Sequence, residues 1–279
     1  MKFENVKVYG FEGAMRGMRN PLESWNKSDS FFGLVNIDDD EHDYEVARSW
    51  VEDLKGNEDD LLLDEEDRWL IRNGLLEIDF GHQVANVAFI GPKDMSLARR
   101  LIAAGPEHRK FLRQIMVSVD ITAPLYIWKE FDTYKINVTA NSTSTMHKLT
   151  SKPITRECFE MGDYEPDLAV DAVDQSGVIV DEFVDHWHTD MFVDYLIEHL
   201  EDLRQMYVKT KDKRYWKELV RWLPESWMQT RTITMNYENV RSMVHQRKSH
   251  KLIEWSGDDE NSFISFAKKL PYAEDLIFD

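Results

Sequence analysis

The stretch Phe111 to Phe131, FLRQIMVSVDITAPLYIWKEF, constrains the fold more than any other part of the chain. Ile115, Val117, Val119 and Ile121 recur at every second residue, the period of a strand with one face in a core. A helix beginning at Pro124 follows at once, with an apolar and aromatic face. A strand that runs straight into a helix predicts one shared α+β core rather than a bundle or a sandwich. The continuation, TYKINVTANSTSTMH, is nearly free of charge and rich in hydroxyl and amide side chains. Such a surface either reads a polar small molecule or turns a chain.

The flanking segments fill in the same picture. Alternating Phe3, Val6, Val8 and Phe11 predict an N-terminal strand, followed by a loop rich in Gly, Arg and Ser. Residues 41–54 read as a helix, and KGNEDDLLLDEEDRW as a solvated acidic turn. HQVANVAFI is either a short helix or a buried strand, because periodicity does not separate the two. Residues 94–104 form a helix with Asp94 as N-cap and Gly105 as its stop. Phe192, Tyr195, Leu196, His199, Leu203, Met206 and Tyr207 mark a long amphipathic helix packed on one face. A shorter helix ends at Leu223-Pro224, another starts near Tyr237, and FISFAKKLPYAEDLIF closes the chain. Without a repeat or a long linker, residues 1–279 read as a single domain.

Charge narrows the function. With 34 basic against 52 acidic residues the net charge is −18, which repels nucleic acid and anionic lipid, so neither is expected as a partner. The single cysteine, Cys158, leaves no internal disulfide and fits a reducing compartment. MKFENVKVYG lacks a signal-peptide core and no run approaches membrane-spanning length, so a cytoplasmic protein is expected. In that setting the Asn-x-Thr triplets at Asn137 and Asn141 are not glycosylation sites.

Four groupings could carry chemistry. In GAMRGMRNPLESWNKSDS, glycines let backbone N–H groups approach an anion while Arg16, Arg19 and Lys27 supply charge, which suggests phosphate binding; the plainer reading is a surface loop with ion pairs. DEFVDHWHTD crowds Asp181, Glu182, Asp185, His186, His188 and Asp190, but two His one residue apart share a face only on a strand, so no metal is expected. Cys158 and the serines lack any nucleophile motif, and neither a Walker loop nor a dinucleotide fingerprint is present. Arg247, beside the apolar face of Val240, Met243 and Val244, suits a nucleotide phosphate or base edge, or is an exposed cation near a helix end.

The order of these segments resembles the flavin-dependent thymidylate synthases, the family known as ThyX. Their strand, proline and helix are matched by IMVSVDI, Pro124 and LYIWKEF. Their Arg-His-Arg motif falls on Thr133-Tyr134-Lys135, and their Asn-Glu-x-Ser-x-Arg on Asn141, Ser142, Ser144 and Met146 after a one-residue insertion. LPESWMQTRTITMNYENVRSMVHQR, Leu223 to Arg247, is similar to the family's nucleotide-contacting segment without a gap. The match covers about half the chain, and residues 1–75 stand as a family-divergent N-terminal extension.

The resemblance implies an α+β fold with a small, mostly antiparallel sheet flanked by long helices, and a homotetramer with shared active sites. It implies methylation of dUMP at C5, with methylenetetrahydrofolate as carbon donor and FAD, reduced by NADPH, carrying hydride. Carried over by position, Glu130, Asn141, Ser142, Ser144, Met146, Arg221 and Arg247 would bind substrate. Tyr134, Lys135, Asn236 and Ser242 would bind cofactor, and no residue serves as nucleophile. The motif's charges are thinned, since Tyr134, Ser142 and Met146 stand where the family carries ionisable groups, and Arg16, Arg19 and Lys27 are offered as replacement cations. The alternative is a noncatalytic nucleotide-binding or assembly protein that kept the fold. An acidic interaction protein without a ligand is a third reading.

Overall fold

A computed structural model describes residues 1–36, 76–79, 84–165, 172–173, 176, 179–181, 189–257 and 260–279. The helix expected at 41–54 and the acidic turn after it lie outside these residues. Along the chain run β1 (Lys2–Tyr9), α1 (Phe11–Arg19), β2 (Phe31–Asn36), β3 (Leu76–Asp79), β4 (Val84–Phe89), α2 (Pro92–Ala103), β5 (Met116–Pro124) and α3 (Leu125–Phe131). There follow β6 (Thr139–Ser142), α4 (Thr145–Lys148), β7 (Ala172–Val173), β8 (Ile179–Asp181), α5 (Thr189–Thr210), α6 (Lys213–Arg221), β9 (Met228–Asn236), α7 (Tyr237–Arg247), α8 (Ile253–Ser256) and α9 (Phe263–Lys268). The strands form sheets ordered β1-β5-β9-β6, β2-β4-β3 and β7-β8. Contacts divide the chain into one unit of Met1–Ile121, Phe131–Asn141 and Arg231–Asp279, and a second of Thr122–Glu130 and Ser142–Thr230.

In the first unit, β5 behaves as its alternation predicts. Ile115, Val117, Val119 and Ile121 are fully buried, while the residues between them, Met116, Ser118 and Asp120, stay half-exposed. Ile233 and Met235 of β9 join the same core. Within HQVANVAFI, Val84–Phe89 form a strand, β4, paired antiparallel with β2 from Phe31 opposite Phe89 to Asn36 opposite Val84. Tyr272 ties that sheet down, its hydroxyl donating to the Ala88 carbonyl at 3.1 Å and accepting from the Ile90 amide.

The loop expected after β1 is instead the helix α1. Phe11, Ala14, Met15 and Met18 sit at helical spacing and are buried, a pattern that Gly13 and Gly17 mask in the sequence. Gly10 starts this helix at φ 96, and a Cβ there would lie 2.2 Å from the Gln114 carbonyl oxygen, so backbone passes against backbone. Asp94 is not the cap of α2. Gly91 holds that position with Pro92 after it, and the Asp29 carboxylate accepts from the Lys93 and Asp94 amides at 2.8 and 3.1 Å. Gly105, at φ 107, ends the helix as expected.

In the second unit the opening amides of α3 are satisfied from outside the helix, Leu125 donating to the Trp227 carbonyl and Tyr126 to that of Glu225. Trp128 is buried and donates its indole N–H to the Gln229 carbonyl at 2.9 Å; the Gln229 amide in turn donates to the Thr143 carbonyl. A core of Leu149, Ile154, Phe159, Leu200 and Leu219 takes Leu196, Ile197 and Leu203 from α5. The stripe expected on α5 is therefore split: Phe192, Tyr195, His199 and Met206 lie on the exposed side. Two apolar arcs at neighbouring angles had merged into one in the spacing. Cys158 is a half-buried thiol packed against this core.

Candidate functional site

The loop leaving α3 lies along α7 within the first unit. Asn236 caps α7 by accepting from the Asn239 amide, and the Asn239 side chain accepts from the Asn236 amide in return. That same Asn239 side chain donates to the Ile136 carbonyl at 2.9 Å, which pins the loop. Tyr134 is thereby laid over the last turn of the helix. Its hydroxyl accepts from Arg247 Nε at 2.9 Å and donates to Gln246 Oε1 at 3.3 Å. Gln246 Nε2 donates onward to Ser242 Oγ at 2.8 Å, one helical turn back.

Arg247 is held on two sides by rings. Its guanidinium carbon lies 5.6 Å from the Tyr134 centroid and 5.0 Å from that of Trp255, both within cation–π range. Trp255 is fully buried and braced by a stacked Phe131 at 5.1 Å and an edge-on Phe263 at 5.3 Å. An orientation set by packed aromatics costs little further ordering when a ligand arrives. Lys135 is exposed beside Tyr134. The cluster offers a planar cation, a phenol, an amide and a hydroxyl, a donor set suited to an anion and a heterocycle edge.

The structure thus joins Tyr134, Ser242 and Arg247 in one bonded chain. Gln246 and Trp255 were missed by sequence reasoning; the spacing of Ser242 and Gln246 could have exposed the first, and nothing beyond aromaticity flagged the second. Asn236 is buried, and its side chain caps α7. In the second unit Ser144 caps α4, accepting from the His147 amide at 3.1 Å. Ser142 and Met146 are exposed there, as is Asn141 in the first unit, while Glu130 is half-buried near the end of α3. Arg221 pairs with Glu218 on its own helix.

The replacement cations separate. Arg19 is buried in an ion pair with Asp94, which also accepts from the Ser28 and Ser30 hydroxyls. Lys27 is exposed at the end of a short turn, and Arg16 lies over Trp25 at 5.4 Å. His186, His188 and their acidic neighbours lie outside the described residues, apart from Asp181 and Asp190. Asp190 pairs with Arg156, whose bond holds its carboxyl below the ordinary range.

The fold is that of the flavin-dependent thymidylate synthases. A crystal structure of ThyX from Helicobacter pylori complexed with FAD and dUMP superposes with a TM-score of 0.53 and 14% identity, covering 100% of this chain and 98% of that one. A second ThyX structure from the same organism, with FAD and dUMP at 2.31 Å, gives a TM-score of 0.54 at 14% identity with the same coverage. No protein-family model and no curated protein matches the sequence. No described helix is long and apolar enough to cross a membrane.

Proposed function

We propose that the chain is a divergent thymidylate synthase-like enzyme that binds a pyrimidine nucleotide and modifies it at C5, using dUMP and methylenetetrahydrofolate. The observation that carries this reading is the match over the whole chain to ThyX structures holding FAD and dUMP. The donor set fits such ligands. Arg247 and Lys135 supply cations for a phosphate, while Tyr134, Gln246 and Ser242 supply neutral hydrogen bonds for a base or an isoalloxazine edge. FAD, when bound, supplies hydride delivered from NADPH.

This chain's part is to bind, orient and exclude water. Arg247 fixes the anion, and the Tyr134–Gln246–Ser242 chain orients the ring system. We further propose a cytoplasmic homotetramer. A second reading, a nucleotide-binding protein without catalysis, is favoured by Tyr134, whose hydroxyl is engaged by Arg247 and Gln246 where the family carries an ionisable His. The visible spectrum of the purified protein tests flavin, and calorimetry with dUMP tests the nucleotide. Flavin bands with dUMP binding support the enzyme, dUMP binding without flavin supports the second reading, and neither defeats both. Light scattering checks the assembly.

A further inference from the structure

A small cavity of about 150 Å³ lies beside α1, walled by Glu12, Arg16, Arg19, Trp25, Ser28 and Ser30. That volume takes a ligand the size of benzene. Arg16 and Arg19 are three apart on one helix, so both guanidinium groups reach the same side. Arg19 is about nineteen-twentieths buried, yet only its Nε and Nη1 are used, on Asp94 and on the Ser24 carbonyl; its Nη2 has no acceptor among the described residues. Arg16 is held over the Trp25 ring, and that indole is fixed by donating to Asn20 Oδ1 at 2.8 Å. Among the described residues no carboxylate pairs with Arg16, in a chain of net charge −18. Asp94 cancels the charge of Arg19 and Glu12 adds a carboxylate to the lining, so the attraction rests on Arg16 within reach of the anion, and the Arg19 fork supplies direction.

We infer that this cavity binds a compact phosphate-type oxyanion, either free phosphate or the terminal group of a small phosphate ester, between the guanidinium groups of Arg16 and Arg19. The Ser28 and Ser30 hydroxyls, which donate to Asp94, hold the wall in place. Planar guanidinium forks match oxyanions in this manner. The inference is separate from the nucleotide reading of Arg247.

Calorimetry of the whole chain with inorganic phosphate, and in a parallel run with glycerol phosphate, tests it. Binding is expected at about 1 mM or tighter, weakened about tenfold by Arg16→Gln, a loss of ~1.4 kcal/mol. Arg16 is exposed and outside the buried pair, so this variant retains its circular dichroism spectrum. Trp25→Leu, which frees Arg16, weakens binding severalfold, and Arg247→Ala leaves it unchanged. Whichever of the two probes binds tighter identifies the source. No heat at about 10 mM phosphate, equal affinity in Arg16→Gln, or acetate binding as tightly as phosphate overturns the inference.

Discussion

Replacing Asp94 with asparagine keeps the shape of the side chain and removes its charge. Asp94 is fully buried, and its carboxylate serves Arg19, Ser28 and Ser30 together. The serines can rotate to accept from the new amide nitrogen, so the chief loss is the charge opposite Arg19, which stays buried. Breaking a buried pair from one side costs about 3–5 kcal/mol, because the remaining charge is left uncompensated. The low end, about 3 kcal/mol, is expected here, since Arg19 keeps its bond to the Ser24 carbonyl and faces the cavity. Against a typical total of about 5–15 kcal/mol this is a large fraction. Urea titration followed by near-ultraviolet circular dichroism measures it, with Glu225→Gln as control. Glu225 pairs with Lys129 at the surface, the two side chains 51% and 69% exposed, so that change is expected to cost under about 1 kcal/mol. A double change, Arg19→Met with Asp94→Leu, is expected to be less damaging than Asp94→Asn alone. An Asp94→Asn loss no larger than the control's would refute the reasoning.

Arg247→Ala is expected to weaken dUMP binding tenfold or more, a loss of about 1.5–3 kcal/mol, measured by calorimetry; unchanged affinity would remove the nucleotide assignment from this cluster. Gly10→Ala is expected to lower stability by about 2 kcal/mol or more in thermal melts, from left-handed strain and the overlap with the Gln114 carbonyl. The Arg204 guanidinium, with the Ile154 amide, holds the Glu201 carboxyl down to about 2 from its usual 4.5. Its contribution of up to about 3 kcal/mol is complete above pH 4.5 and lost as pH falls toward 2, so Glu201→Gln is expected to flatten acid unfolding across that window.

Legibility followed whichever period had no competitor. β5 was plain because its alternation is unbroken over Ile115 to Ile121, and the switch at Pro124 fixed the start of α3. α1 was hidden because two glycines, usually breakers, stand in it; at Gly17 the helix passes close to another group, a Cβ there lying 2.5 Å from Gln114 Oε1, whereas a Cβ at Gly13 would meet open space. The arginines of the same segment were legible as chemistry but not as roles. Residue type does not say whether a guanidinium meets a buried Asp94, as Arg19 does, or an aromatic ring, as Arg16 does. Long-range partners decide that, and Asp94 is 75 residues away from Arg19. Tyr134 and Ser242 were named from family positions and Arg247 also from its place beside an apolar helix face, whereas their joining through Gln246 needed the loop to be pinned by Asn239.

The two kinds of arginine partner carry different consequences. Arg19, Arg109, Arg156, Arg204, Arg214, Arg221 and Arg231 each rest on a carboxylate, which cancels most of their field. Arg16 lies over the Trp25 ring, and among the described residues no carboxylate pairs with it. A ring attracts a guanidinium through its quadrupole and fixes its plane, but carries no net charge to neutralise it. A cation so held keeps its pull on an anion and has already lost the rotamer freedom that binding would otherwise cost, about 0.5–1.5 kcal/mol per side chain. In a chain of net charge −18, distant attraction for anions is absent, so recognition has to come from such local, pre-oriented positive charge. The aromatic seat of Arg16 is therefore where an anionic ligand is expected, with Arg19 beside it giving direction, and the other carboxylate-bound arginines are expected to serve the fold.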